Sequence, residues 1–120
     1  MPAGTAVSYN RTKMLTRATR VAIVAVGYGD GVPTAASNRG HFLVRGQRCP
    51  ILGRVTMDQT IVDVTDVAGA AVGDIATILG PQGADRITVA EFCAWSECIP
   101  WEALCTLTQR VQRVYRTDRT

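Results

Sequence analysis

Turn-forming residues interrupt the apolar segments of this sequence so regularly that only short strands fit between them. Short strands separated by turns build small barrels or sandwiches. Val21 to Val26 form a valine-rich apolar run, the pattern of a strand buried on both faces. The run stops at Gly27-Tyr28-Gly29-Asp30-Gly31-Val32-Pro33, where three glycines and a proline within seven residues force a tight, backbone-dominated loop. His41 to Arg45 and Arg48 to Leu52 flank Gly46-Gln47, which reads as a two-residue hairpin turn. Val55 and Met57 lead through Asp58-Gln59 into Ile61, Val62 and Val64, a second strand pair closed by Thr65-Asp66. Gly73-Asp74 then turns the chain into a strand from Ile75 to Leu79, ended by Gly80-Pro81.

Helical signals come late. Thr88-Val89-Ala90-Glu91 reads as a capping box, with Phe92 and Trp95 following at helical spacing. Ile99-Pro100 breaks that helix, and Pro100 suits the first turn of another through Trp101 to Leu107. The expected fold class is mainly β: a small barrel- or sandwich-like domain with two short helices near the C-terminus. No repeat or linker divides residues 1–120, so the chain reads as one domain, with a polar lead-in segment over residues 1–18. A domain of this size buries roughly two-thirds of its unfolded surface, enough to hold together without disulfides.

Several function classes fall away on inspection. A Ser–His–Asp set would need His41, the only histidine, and no serine sits in a nucleophile-elbow motif. No phosphate-binding P-loop is present. Cys49, Cys93, Cys98 and Cys105 form no C-x-x-C pair, so buried free thiols rather than a metal site are expected. The net charge of +3 is too small to demand a nucleic-acid partner. Arg110, Arg113, Arg116 and Arg119 recur near the end and read as a solvated or salt-bridged tail. No apolar run reaches the roughly 18 residues of a membrane span, and the opening residues lack the character of a signal peptide. A soluble, cytoplasmic protein is the expectation, and one that is not an enzyme on its own.

Three local features could carry chemistry. Val7-Ser8-Tyr9-Asn10-Arg11-Thr12 is a polar segment holding a tyrosine, which on its own reads as an ordinary half-exposed residue. The Gly27–Pro33 loop, with Tyr28 and Asp30, reads first as a turn whose Asp30 satisfies its own backbone; such a loop also lets backbone approach a ligand closely. Gly53-Arg54-Val55-Thr56-Met57-Asp58-Gln59 packs a cation, a hydroxyl and a carboxylate into one connection. Its backbone N–H groups suit a carboxylate, and Arg54 with Asp58 suits a structural ion pair equally well.

Read together, these pieces resemble the C-terminal domain of alanine racemases. The chain holds V-S-Y, then V-G-Y-G-D-G with Tyr28 19 residues beyond Tyr9, then N-R-G and P-I-L-G-R-V-T-M-D-Q. The likeness continues through V-D-V-T-D, V-G-D and I-T-V-A-E-F to C-T-L-T-Q-R-V-Q-R-V-Y, covering about residues 4 to 116. The G-R-V-T-M-D-Q run is the most specific part.

The resemblance implies a pyridoxal phosphate-dependent isomerase that interconverts L- and D-alanine, supplying D-alanine for peptidoglycan. It implies a head-to-tail homodimer in which a lysine of an N-terminal TIM-type barrel, outside this chain, binds the cofactor. The β domain of the opposite subunit supplies the second base. Tyr9 would be that catalytic base, taking the α-proton from L-alanine. Met57 would contact the substrate carboxylate through its backbone, with Tyr28 beside the substrate. Asp30, Arg54 and Asp58 would support the substrate corridor. Racemisation needs a base on each face of a planar carbanion, with the cofactor as electron sink. A phenol, ordinarily titrating near about 10, serves only where its surroundings lower that value.

Three positions depart from the family pattern. Asn10 stands where glycine usually follows the tyrosine, and Thr56 where cysteine is common. Gln109 stands where many members carry a tyrosine that bonds the cofactor phosphate, so no cofactor contact is assigned to this chain. The isolated chain is expected to be inactive. The alternative is a non-catalytic dimerisation or regulatory module with the same fold. A nucleic-acid-binding barrel, which would need exposed stacking aromatics, is disfavoured by an aromatic content of 6%.

Overall fold

A computed structural model describes residues 18–97 and residue 111, with the strands Ala6–Val7 (β1) and Lys13–Met14 (β2) ahead of them. β1 and β2 pair antiparallel. The main body contains Val21–Val24 (β3), His41–Val44 (β4), Gln47–Pro50 (β5), Thr60–Asp63 (β6), Ala76–Thr77 (β7), Gly80–Gln82 (β8), Asp85–Ile87 (β9) and the helix Val89–Ser96 (α1). A single 3-10 turn, Thr34–Ala36, follows the glycine-rich loop.

The strands are as short as the turn residues require, and their pairing is antiparallel throughout. β3 pairs with β6, β4 lies between β5 and β7, and β8 pairs with β9. The expected mainly β class holds, but among the described residues no ladder closes on itself, so no closed barrel forms, and a two-sheet sandwich is not seen either. The described strands, of two to four residues each, form four small sheets. One helix is described; the second, expected over Trp101 to Leu107, lies outside the described residues.

Several local expectations are corrected by the observed pairing. The β4–β5 hairpin turns at Arg45-Gly46 rather than Gly46-Gln47, because Val44 pairs with Gln47. Both turn residues have positive φ, 51° and 75°, matching the right-handed twist that two-residue hairpins need. Val55 and Met57 form no strand; β6 instead takes β3 as its partner, with Val21 opposite Asp63 and Val24 opposite Thr60. Gly80-Pro81 does not end a strand but begins β8. β3 is not buried on both faces, since Ile23 is 63% exposed. The face of β3 borders an open groove of about 780 Å³ that it shares with Val44, Val64, Ala76 and Ile78.

The principal core gathers Phe42, Val44, Cys49, Ile51, Val55, Val62 and Val64, from β4, β5, β6 and the loops between them. Leu43, on the opposite face of β4, packs with Ile87 and Phe92 and so seats α1 against the sheet. The capping box forms as the sequence predicts: Glu91 N–H donates to the Thr88 hydroxyl at 3.1 Å, and Thr88 N–H donates to the Glu91 carboxylate at 2.9 Å. Cys49 is a buried free thiol, and burial pushes its pKa up, making it a poor nucleophile. Among the described residues no helix is long and apolar enough to cross a membrane.

Candidate functional site

The glycine-rich loop and the G-R-V-T-M-D-Q run, far apart in sequence, meet edge to edge. Tyr28 N–H donates to the Thr56 carbonyl at 2.9 Å, and Gly29 N–H donates to the Met57 carbonyl at 2.9 Å. The first loop is braced from within. Gly27 N–H donates to Asp30 Oδ2 at 3.0 Å, while Asp30 and Val32 donate their N–H groups back to the Gly27 carbonyl. This is the turn reading of Asp30, and it is what holds the Tyr28–Gly29 amides toward their acceptors.

The second loop is braced from the other side. Asn38 Oδ1 accepts from Gly53 N–H at 2.7 Å, and Ser37 Oγ accepts from Val55 N–H at 2.8 Å. Val55 is buried and anchors the loop in the core. Thr56 closes the turn: its hydroxyl donates to the Gln59 carbonyl at 3.0 Å and accepts from Gln59 N–H at 3.2 Å. A β-hydroxyl makes this pair of bonds far better than a thiol would, giving the threonine at this position a structural reason. Thr60 then ties the end of the loop to the segment just after β3 by donating its hydroxyl to the Val26 carbonyl at 2.7 Å.

What these bonds leave at the surface is specific. Tyr28 and Met57 side chains are half exposed, at 50% and 51%, and Arg54 and Asp58 are exposed on the same turn. The Met57 N–H has no acceptor among the described residues, although the carbonyl oxygens on both sides of it are taken. The structure therefore brings together Tyr28, Asp30, Arg54, Met57 and Asp58, five of the six candidate residues. The sixth, Tyr9, lies outside the described residues, as do Asn10, Gln109 and the arginines of the tail. The large groove beside β3 is lined by none of these candidates.

Ser37, Thr60 and Gly27 take part in the site although the sequence alone does not single them out. Ser37 and Thr60 carry no motif signal, since each acts on a backbone group far along the chain. Gly27 stood in the V-G-Y run, but its contact with the second loop depends on the fold. Among the described residues no group of His, Cys, Asp and Glu could hold a metal ion. No described side chain offers the amine that pyridoxal phosphate would need, since the single lysine, Lys13, is described only as part of strand β2.

Comparisons with known proteins point to one family. The family "Alanine racemase, C-terminal domain" matches residues 1–115. The alanine racemase of Halothermothrix orenii is 40% identical over 116 residues, which are 97% of this chain and 31% of that protein. The crystal structure of alanine racemase from the D-cycloserine producing Streptomyces lavendulae superposes with a TM-score of 0.89 at 36% identity, covering 99% of this chain and 31% of that one. That of Bartonella henselae, with covalently bound pyridoxal phosphate, gives 0.87 at 32% identity over 97% of this chain and 32% of that one. The chain spans about a third of the length of the relatives it matches. With a family match across nearly its whole length and a β surface built from that family's motifs, the chain belongs to the alanine racemase C-terminal domain family.

Proposed function

We propose that this domain completes the active site of a pyridoxal phosphate-dependent alanine racemase, interconverting L- and D-alanine at a site shared with the barrel domain of a second subunit. The observation that carries the reading is the Met57 N–H, which has no acceptor among the described residues and sits on a half-exposed residue whose flanking carbonyls are held by Tyr28 and Gly29. A fixed amide N–H with no internal acceptor suits one oxygen of a substrate carboxylate, and charge-assisted bonds of this kind are about twice as strong as neutral ones. Tyr28 and Asp30 border the approach, with Arg54 and Asp58 adding polar groups along the corridor. The cofactor, held by the barrel, would supply the electron sink that makes the α-proton removable.

Tyr9 is the base for L-alanine in this reading. Its phenolate oxygen takes the α-proton from one face, and its phenol returns a proton to that face in the reverse direction. A base on the barrel serves the opposite face. Two bases on different subunits cannot collapse toward each other, so each holds its own face of the substrate carbon. Assembly as a homodimer follows from this division, and the reduced thiols of Cys49 and Cys93 suit the reducing cytoplasm. The product would feed D-alanine to peptidoglycan.

The test mixes the purified chain with a cofactor-loaded racemase barrel domain and follows α-proton exchange from L-alanine in heavy water. Loss of a positioned acid–base group should slow exchange by roughly 10²- to 10⁴-fold in Tyr9→Phe. If the two domains bind each other and exchange is absent, or unchanged by Tyr9→Phe, the assignment fails and a dimerisation or regulatory role takes its place.

A further inference from the structure

We infer that Gly27 is a positioning residue for carboxylate recognition, because only a residue without a side chain lets the glycine loop turn the Thr56–Met57 peptide so that its N–H faces the substrate. The inference rests on the proposed role of the Met57 amide. It begins from the closeness of the two loops. A Cβ built on Gly27 would collide with the Thr56 carbonyl oxygen and stand 2.6 Å from both the carbonyl carbon and the carbonyl oxygen of Met57. Those atoms are backbone, held by the core through Val55 and by the Thr56–Gln59 turn, so they cannot swing aside as a flexible side chain would. Gly27 is not among the glycines with positive φ, so the demand is for space and not for an unusual backbone conformation.

Close approach matters through the geometry of the peptide unit. The Thr56 carbonyl and the Met57 N–H belong to one planar peptide and, in its trans form, point in opposite directions. No described peptide bond is cis. Once Tyr28 N–H holds the Thr56 carbonyl at 2.9 Å, the Met57 N–H must point away from the glycine loop. Gly29 fixes the next carbonyl, that of Met57, in the same way. Rotation of the Thr56–Met57 peptide would break the Tyr28 bond, so the direction of the donor is set before any ligand arrives. Pre-set direction is what binding through a single N–H requires, because a donor that must first be oriented loses affinity to that ordering. A side chain at Gly27 pushes the loops apart, lengthens both bonds and frees the peptide to turn.

The experiment uses the nitrogen-15-labelled chain, first alone and then bound to the cofactor-loaded barrel domain. Propionate, which is alanine without its amino group, probes the carboxylate contact, and L-alanine turnover gives kcat and KM. In Gly27→Ala the amide signals of Tyr28, Gly29 and Met57 should shift in the free chain, while those of Leu43 and Val62 stay in place. In the complex, the propionate Kd and the KM for L-alanine should each rise tenfold or more, with kcat changed less than threefold. Gly46→Ala, which strains a distant turn at φ 75° without touching either loop, should lower the melting temperature and leave the propionate Kd alone.

Unchanged amide signals at Tyr28, Gly29 and Met57 in Gly27→Ala would overturn the inference in the free chain alone. An unaltered propionate Kd in a complex whose wild-type Met57 amide does respond to propionate would overturn it while leaving the site reading intact. A wild-type Met57 amide that ignores saturating propionate would overturn the site reading itself. Should Gly27→Ala fail to fold, Asp30→Ala loosens the same turn without a clash by removing the acceptor of Gly27 N–H. The same rise in propionate Kd is then expected, and its absence counts against Gly27.

Discussion

Gly29 donates its backbone N–H to the carbonyl of Met57 across 2.9 Å, and with the neighbouring Tyr28–Thr56 bond this makes one rigid edge out of two loops. That edge is braced from outside by Asn38, whose side chain accepts from Gly53 N–H and whose backbone sits at φ 60°. The stability of the site and of the domain are therefore linked, and several measurements can separate the contributions.

Asn38→Ala removes the bond to Gly53 and places an alanine in the left-handed region. A lost hydrogen bond costs about 1 kcal/mol, and the left-handed conformation about 1 kcal/mol more for a residue with no polar side chain. Asn38→Gly loses the bond but not the conformational ease. Urea unfolding should rank the wild type above Asn38→Gly and Asn38→Gly above Asn38→Ala; equal losses in the two variants would mean that backbone conformation contributes nothing here.

His41 gives a pH dependence of definite sign. Its ring lies 5.7 Å from that of Trp95, and its Nδ1 is buried without a hydrogen-bond partner. Burial first, and the Arg48 charge second, hold its pKa below the ordinary 6.5, with Glu91 opposing. The unfolded chain thus binds a proton before the folded chain does. Stability is complete above pH 6.5 and falls as the pH drops from there toward the lowered value. Denaturation midpoints measured across that window should decline in the wild type and stay level in His41→Gln.

A second loss should follow in stronger acid. Arg48 bonds Asp85 at 2.9 Å and Glu91 at 2.9 Å, and Arg45 bonds Asp74 at 2.7 Å. The Arg45 bond holds the Asp74 pKa below the carboxylate range, and the Arg48 bond does so for Asp85. At Glu91 the bond from Thr88 N–H leads, with Arg48 second. A depressed carboxylate contributes stability above its unfolded value and loses it as pH falls through the folded one. These pairs are exposed, so the step should shrink in high salt. A step of equal size at low and high salt would assign it to other groups.

Burial separates two apolar substitutions of similar appearance in the sequence. Leu43 is fully buried between β4 and α1, while Val72 is fully exposed. Leu43→Ala should cost about 2–5 kcal/mol and strip α1 from the sheet, read as lost helical circular dichroism. Val72→Ala should change stability by less than about 0.5 kcal/mol.

The sequence by itself determined what depends on neighbouring residues. The Thr88–Glu91 capping box is a signal four residues long, and it formed as written. The β4–β5 hairpin was legible from its alternating strands, though its turn fell one residue early, since Arg45 shares the positive φ of Gly46. The motifs are dense enough to point to the family, and the resemblance they carry singles out Tyr28, Asp30, Arg54, Met57 and Asp58 as candidates without any geometry. Tertiary structure decided the rest. β6 found β3 rather than the segment beside it in sequence, because a strand takes the partner that buries its apolar face, wherever along the chain that lies. The direction of the Met57 N–H depends on Gly27, Tyr28 and Gly29, some thirty residues away. No local pattern encodes that direction, because a peptide's orientation is set by what its carbonyl meets.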